Sequence, residues 1–184
     1  QFSTAQDFSQ NIIDYTSVLM PQGATNYVLP GLSDNNTYYW RVKAIDNTAQ
    51  ESGWAYASAG EYALRVDTTV PEMFNLSAPS DNGWENTDFN FTWELAIDSV
   101  SGVGKYQLYI GGELNEDNIP PTQNTIIKSL PEGSYSWHVK AIDNSGNERQ
   151  SSGPEWIVKI DTTQPTVDAG QDQVTQEQVL QDAT

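Results

Sequence analysis

Cysteine is absent from the 184 residues, histidine occurs once, and lysine plus arginine total 8 against 25 aspartates and glutamates, for a net charge of −17. Without cysteine there is neither a disulfide framework nor thiolate chemistry. A single histidine excludes a His-rich metal centre and narrows the choices for acid–base catalysis. So few basic residues leave no face able to track a phosphate backbone, which excludes nucleic acid as a partner. No apolar run approaches the roughly 18 residues of a membrane span. The chain opens on Gln1 in polar sequence, with neither an initiator Met nor a hydrophobic leader, so it reads as a piece of a longer or processed protein. What is present suffices for folding. Hydrophobic residues make up 37% and aromatics 11%, enough for packed cores rather than a disordered acidic tail.

An internal repeat organises the chain. Tyr38-Tyr39-Trp40-Arg41-Val42-Lys43-Ala44-Ile45-Asp46-Asn47 recurs 97 positions later as Tyr135-Ser136-Trp137-His138-Val139-Lys140-Ala141-Ile142-Asp143-Asn144. Tyr62-x-Leu64-x-Val66-Asp67-Thr68-Thr69 recurs as Trp156-x-Val158-x-Ile160-Asp161-Thr162-Thr163, with Pro71 and Pro165 two residues beyond. Leu32 matches Leu130 as the residue before the repeated turn. A period near 95 residues is too long for a solenoid and suits a small sandwich domain.

Each block reads as strand. Tyr135, Trp137, Val139 and Ala141 alternate with polar residues, as do Phe89, Phe91, Trp93 and Leu95, and the same period-two spacing of apolar residues recurs at Tyr106, Leu108 and Ile110 and at Trp156, Val158 and Ile160. Turn chemistry at Asp81-Asn82-Gly83, Ser101-Gly102, Gly111-Gly112, Pro131-Glu132-Gly133 and Asn144-Ser145-Gly146 separates them. No stretch carries helical periodicity with caps. The fold class is all-β, and the predicted strands of the second unit lie near 73–78, 88–95, 104–110, 113–119, 124–128, 134–142 and 155–161.

Trp93, Leu130 five residues before Tyr135, and the Tyr-x-Trp-x-Val-x-Ala strand together resemble a fibronectin type III module, with Leu130 and Tyr135 matching its tyrosine corner. Asp-x-x-Ser-Gly-Val (Asp98 to Val103), Ala-x-Asp-Asn-x-Gly-Asn (Ala141 to Asn147) and the Asp-Thr-Thr-x-Pro linkers are similar to a prokaryotic surface variant of that fold. The resemblance implies tandem Greek-key β-sandwiches of the fibronectin type III/Ig-like kind. Residues 1–69 would be a module lacking its first two strands, and residues 70–161 a complete one. Residues 162–184, from Thr166-Val167-Asp168-Ala169-Gly170 onward, resemble the opening of a PKD-like repeat. In the first unit Asn47-Thr48-Ala49-Gln50 replaces the Asn-x-Gly-Asn turn, so that loop is expected to differ. The missing and spare strands fit either a cut polypeptide or strand donation, in which 166–184 of one copy pair with the open first unit of another.

Several residues are candidates for chemistry. Residues 70–161 carry 14 acidic and 5 basic side chains, a balance of −9, against −4 for residues 1–69 and −4 for the tail. The resemblance implies that Asp98 and Asp143 meet at one pole of the second module, near Asp67 of the linker. Oxygen ligands crowding a joint suit a hard cation such as Ca²⁺. The alternative is that these aspartates accept N–H bonds in their own turns. Trp54 and Tyr56, read as loop residues, and Trp84, read in a turn, are candidates for stacking on sugar rings or for packing as lids over the sandwich ends. Asn-x-Ser/Thr triplets begin at Asn35, Asn75 and Asn90, the last on an outward strand position where a glycan would be tolerated. His138, between Ser136 and Lys140, reads as a solvated surface histidine. Glu116-Asp117 lacks the facing cleft that glycoside hydrolysis needs, and phosphate-loop and dinucleotide glycine patterns are absent.

The reading is therefore non-catalytic: structural spacer modules of an extracellular cell-surface protein, in a scaffold, surface layer, filament or adhesin stalk. The alternative is an accessory glycan- or protein-binding module of a larger secreted enzyme or adhesin. Neighbouring modules of the same protein are the expected partners.

Overall fold

A computed structural model describes residues 1–13, 23, 28, 31–56 and 64–168, and every described element is a β-strand. The first unit contains β1 (Phe2–Ser3), β2 (Asn11–Ile13), β3 (Asn36–Val42), β4 (Ala55–Tyr56) and β5 (Leu64–Val66). The second contains β6 (Leu76–Ala78), β7 (Gly83–Glu85), β8 (Phe89–Trp93), β9 (Val103–Ile110), β10 (Glu113–Ile119), β11 (Thr125–Lys128), β12 (Gly133–Asp143), β13 (Glu148–Gln150) and β14 (Trp156–Ile160).

The second unit is a sandwich of two sheets. One runs β10-β9-β12-β14-β7 with β13 also on β12, and the other runs β11-β8-β6. Period-two alternation drives this arrangement, because it gives each sheet one apolar face that can be removed from water only against the other. Phe89, Phe91 and Trp93 of β8 meet Tyr106, Leu108 and Ile110 of β9, Trp137, Val139 and Ala141 of β12, and Val158 and Ile160 of β14 in a single core. Trp93 and Trp137 are fully buried. The Trp137 ring stands edge-on to Phe91 at 4.8 Å and to Trp156 at 6.0 Å, spacings at which edge-to-face pairs attract. At the corner, the Tyr135 hydroxyl donates to the Pro131 carbonyl at 3.2 Å, and Leu130 packs on the core edge.

Two strands escape the alternation argument because they are too short to show it. Gly83–Glu85 sits inside what reads as turn sequence and pairs in parallel with β14, and Glu148–Gln150 continues the hairpin from β12. Two expected strands are shorter than predicted. The first begins at Leu76 rather than near residue 73, and β8 ends at Trp93, leaving Leu95 48% exposed. Beyond β8 the Glu94 N–H still donates to the Asn75 carbonyl at 2.8 Å, and the Ala96 N–H donates to the Tyr106 hydroxyl at 2.7 Å.

The first unit repeats the larger sheet: β2-β1-β3 with β4 and β5 both on β3, as β10-β9-β12 carries β13 and β14. Phe2 pairs with Trp40 where Ile110 pairs with Trp137. Phe2 also stacks on Tyr38 at 5.1 Å, and the Ser33 N–H donates to the Tyr38 hydroxyl at 2.7 Å. Asp46–Gln50 folds as the same turn as Asp143–Asn147, contrary to expectation. The Asp46 N–H donates to the Gln50 carbonyl at 3.0 Å, and the Asp143 N–H to the Asn147 carbonyl at 3.1 Å. Ala49, at φ 63, occupies the left-handed position of Gly146, at φ 95. The Asp side chain nucleates both turns strongly enough to hold an alanine where glycine costs less.

Candidate functional site

Three aspartates from two turns and one linker converge where the units meet. In the loop after β8, Asp98 Oδ1 accepts the N–H groups of Val100, Ser101 and Gly102 at 3.2, 2.8 and 2.8 Å. In the turn after β12, Asp143 Oδ1 accepts those of Ser145 and Asn147 at 2.8 and 2.9 Å. In the linker, Asp67 Oδ1 accepts the Thr69 N–H at 2.9 Å. Each carboxylate thus devotes one oxygen to its own backbone, as the turn-forming alternative requires.

The three carboxylates also converge on one another. One carboxylate oxygen from each of Asp67, Asp98 and Asp143 lies within 4.8 Å of the others. Asp67 Oδ2 and Asp98 Oδ2 are sealed from solvent and have no hydrogen-bond partner, while Asp143 Oδ2 accepts from Asn147 Nδ2 at 2.7 Å. Asp143 itself is only 4% exposed. A sealed anionic oxygen without a donor forgoes its hydration. Like charges at that separation repel by about 3 kcal/mol per pair at an effective dielectric of about 20. The salt bridges of the described second unit, Lys105–Asp117, Lys128–Glu116, Lys140–Glu148 and His138–Glu155, involve none of the three.

The surrounding backbone is tied from both sides. Asn147 Nδ2 also donates to the Asp67 and Thr69 carbonyls at 3.1 and 3.3 Å, and Arg149 Nε donates to the Pro71 carbonyl at 3.0 Å. From the first unit, Asp34 Oδ1 accepts the Thr68 N–H at 2.7 Å and Asp34 Oδ2 accepts the Thr69 hydroxyl. The Thr69 hydroxyl, ahead of the Thr68 N–H, holds the Asp34 carboxyl below its ordinary range. Asn144 Nδ2 bridges the carbonyls of Ser101 and Gly102 at 2.8 and 3.0 Å, locking the two acidic turns together. Gly104 makes this approach possible, since a Cβ there would meet Asn144 Oδ1 at 3.0 Å and the Asp143 carbonyl oxygen at 3.2 Å. The second linker repeats half of the pattern. Glu132 Oε1 accepts from the hydroxyls of Thr162 and Thr163 at 2.8 and 2.6 Å, and Asp161 Oδ1 accepts the Thr163 N–H at 2.9 Å.

No protein-family model matches this chain, and no curated protein matches it in sequence. Among solved structures, the fibronectin(III)-like modules of Clostridium thermocellum CbhA are 21% identical, over 50% of this chain and 100% of theirs, with a TM-score of 0.42. A mutant of the SrpA adhesin from Streptococcus sanguinis is 23% identical, over 52% of this chain and 57% of its own, with a TM-score of 0.34. The all-β sandwich stands on the strand order and core of the second unit.

The aromatic candidates do not form one platform. The Trp54 ring lies under Arg41 at 4.2 Å and Lys43 at 4.9 Å. Tyr56 sits in β4 rather than a loop, 58% exposed and edge-on to Phe8 at 6.1 Å. Trp84 belongs to β7 rather than a turn and is 67% exposed, so it caps no sandwich end; Lys159 lies 5.6 Å from its ring. Asn35, Asn75 and Asn90 are all exposed. The Asn75 amide is already engaged, donating to Glu94 Oε2 at 2.8 Å, whereas Asn90 projects outward from β8.

His138 departs from expectation. It is buried, stacked on Tyr109 at 4.7 Å, with Nδ1 2.9 Å from Glu155 Oε1. Outward-facing on β12, it is covered by neighbouring strands and loops, which alternation alone does not reveal. Burial pushes its pKa down, and the Glu155 carboxylate opposes the shift. Glu116 and Asp117 each engage a lysine, and Lys105, followed by Gln107, pulls the Asp117 carboxyl down to about 2. Such a group stays ionised and is unsuited to donating a proton. The residues that sequence reasoning missed are Asp34, Asn147 and Arg149. Only Asn147 carried a signal, as the last residue of the Ala-x-Asp-Asn-x-Gly-Asn motif.

Proposed function

We propose that this chain is a non-catalytic spacer segment of an extracellular cell-surface protein, with tandem fibronectin type III-like units coupled at stiff joints. The gripped linker carries this reading: residues 67–71 are hydrogen-bonded from Asp34 on one side and from Asn147 and Arg149 on the other. A flexible tether would leave those groups to water. Pro71 and Pro165 restrict the backbone further. The extracellular setting draws its support from the likeness of the Asp98–Val103 and Ala141–Asn147 motifs to prokaryotic surface modules. In this reading 162–184 opens another, PKD-like unit. The donor-strand expectation rests on residues 166–184, of which 169–184 lie outside the described residues.

Small-angle X-ray scattering on the chain tests the proposal. The expected curve fits a single arrangement of the two units, and Asn147→Ala combined with Arg149→Ala broadens it. A wild-type curve that requires freely pivoting units overturns the reading. The rival role, an accessory glycan- or protein-binding module, draws on the exposure of Trp84 and Tyr56. Retention of the isolated chain on a glycan array, abolished by Trp84→Ala, would favour that rival.

A further inference from the structure

We infer that the joint is a calcium site, in which one Ca²⁺ bridges Asp67 of the linker to Asp98 and Asp143 of the second unit. Two independent observations carry it. The first is convergence: residues separated by 31 and 45 positions bring one carboxylate oxygen each to within 4.8 Å of one another. Oxygens that share a Ca²⁺ at about 2.3–2.6 Å lie up to about 5 Å apart, so the arrangement fits without rearrangement. The second is the pair of orphaned oxygens, Asp67 Oδ2 and Asp98 Oδ2, sealed from solvent with no donor facing either. Turn formation accounts for the Oδ1 atoms and leaves these two unexplained. Protein interiors do not ordinarily seal anionic oxygens without a counter-charge.

The donor set selects the ion class. All three ligands are carboxylates, and the chain's one histidine pairs with Glu155 elsewhere. Oxygen-only donors suit hard cations, and a coordination number of about 6–8 leaves room for waters or carbonyl groups. The Oδ1 bonds pre-orient each carboxylate, much as outer hydrogen bonds fix metal ligands. Because Asp67 belongs to the linker and the other two to the second unit, the ion would join them. Binding itself is independent of the spacer reading; only its mechanical consequence rests on that reading.

Isothermal titration of the full chain with CaCl₂, after exhaustive chelation, is the direct test. One saturable site is expected, with affinity in the range of extracellular modules, about 10⁻⁴–10⁻³ M or tighter. At roughly 100-fold excess over Kd the unfolding temperature should rise by about 10 °C. Asp98→Asn and Asp67→Asn keep an oxygen for the turn while removing a charge. Each should weaken binding by at least about 10-fold with an unchanged circular dichroism spectrum, and Asp117→Asn should leave it intact. Absence of saturable binding up to about 10 mM Ca²⁺, or equal binding by wild type and both joint variants, overturns the site. Scattering recorded with Ca²⁺ and with chelator separates the two ideas. A joint that pivots in both states defeats the spacer reading, while the isotherm still decides the site. Binding that leaves an already rigid joint unchanged keeps the site and defeats its stiffening role.

Discussion

Equivalent residues of the repeated strand meet opposite fates in the two units. Trp137, Val139 and Val158 are fully buried, whereas Trp40, Val42 and Leu64 at the matching positions are 40%, 41% and 38% exposed. In the second unit the β11-β8-β6 sheet lies over this face, and among the described residues no equivalent sheet covers β1–β5. Among the described residues, the pairing order and the Asp-nucleated turn of the second unit recur in the first with this face more exposed. A sheet can be specified by local pattern and turn chemistry, while burial is conferred only by what packs on it.

Truncation of the two equivalent tryptophans should separate the units most. Trp137→Ala should cost about 3–5 kcal/mol by urea unfolding, the range for emptying a closed aromatic site. Trp40→Ala should cost no more than about 1.5 kcal/mol, because solvent already reaches it. Equal losses would mean that the first unit closes in solution. Gly104→Ala comes next, at about 1–3 kcal/mol, since its methyl group would crowd Asn144 and the Asp143 carbonyl. The same variant should weaken Ca²⁺ binding in parallel.

The shared turn gives a smaller effect of opposite sign. Ala49→Gly should stabilise the first unit by roughly 0.5–1 kcal/mol by relieving a left-handed alanine. Gly146→Ala should destabilise the second by a similar amount. The last contrast is in pH. Position 41 carries a permanent cation over Phe8, and its counterpart His138 titrates. Its pKa is lower folded than unfolded, so the unfolded chain takes up the proton more readily. The stability it confers is complete above about pH 6.5 and is lost as pH falls through that value towards the folded pKa. Glu155, Lys140 and Tyr109 are the groups around it. Urea midpoints of the second unit should therefore decline between pH 7 and 5, and His138→Gln should flatten the decline.

Most of the second unit was legible because its core residues alternate cleanly and its turns carry Gly, Asn and Asp. Convergence of Asp67, Asp98 and Asp143 was legible too, once the resemblance had placed two loops at one pole. The clasp by Asp34 was not, since an exposed aspartate gives no sign of a partner 34 residues away. The burial of His138 was hidden because alternation reports which face a side chain takes and says nothing of what lies over it. Strand β7 was missed for the same reason as the exposure of Trp84: it pairs by backbone alone and contributes no core residue.

That strand has a mechanical meaning. β7 lies near the start of the second unit and β14 at its end, and they run in parallel through Val158–Gly83, Lys159–Trp84 and Ile160–Glu85. Tension applied through the two linkers draws these strands in opposite directions along their length. Their hydrogen bonds are then loaded together in shear rather than peeled one by one, as a hairpin would be. Shear loading of this kind predicts a higher unfolding force than a hairpin of the same length would show, which force spectroscopy on the chain would measure.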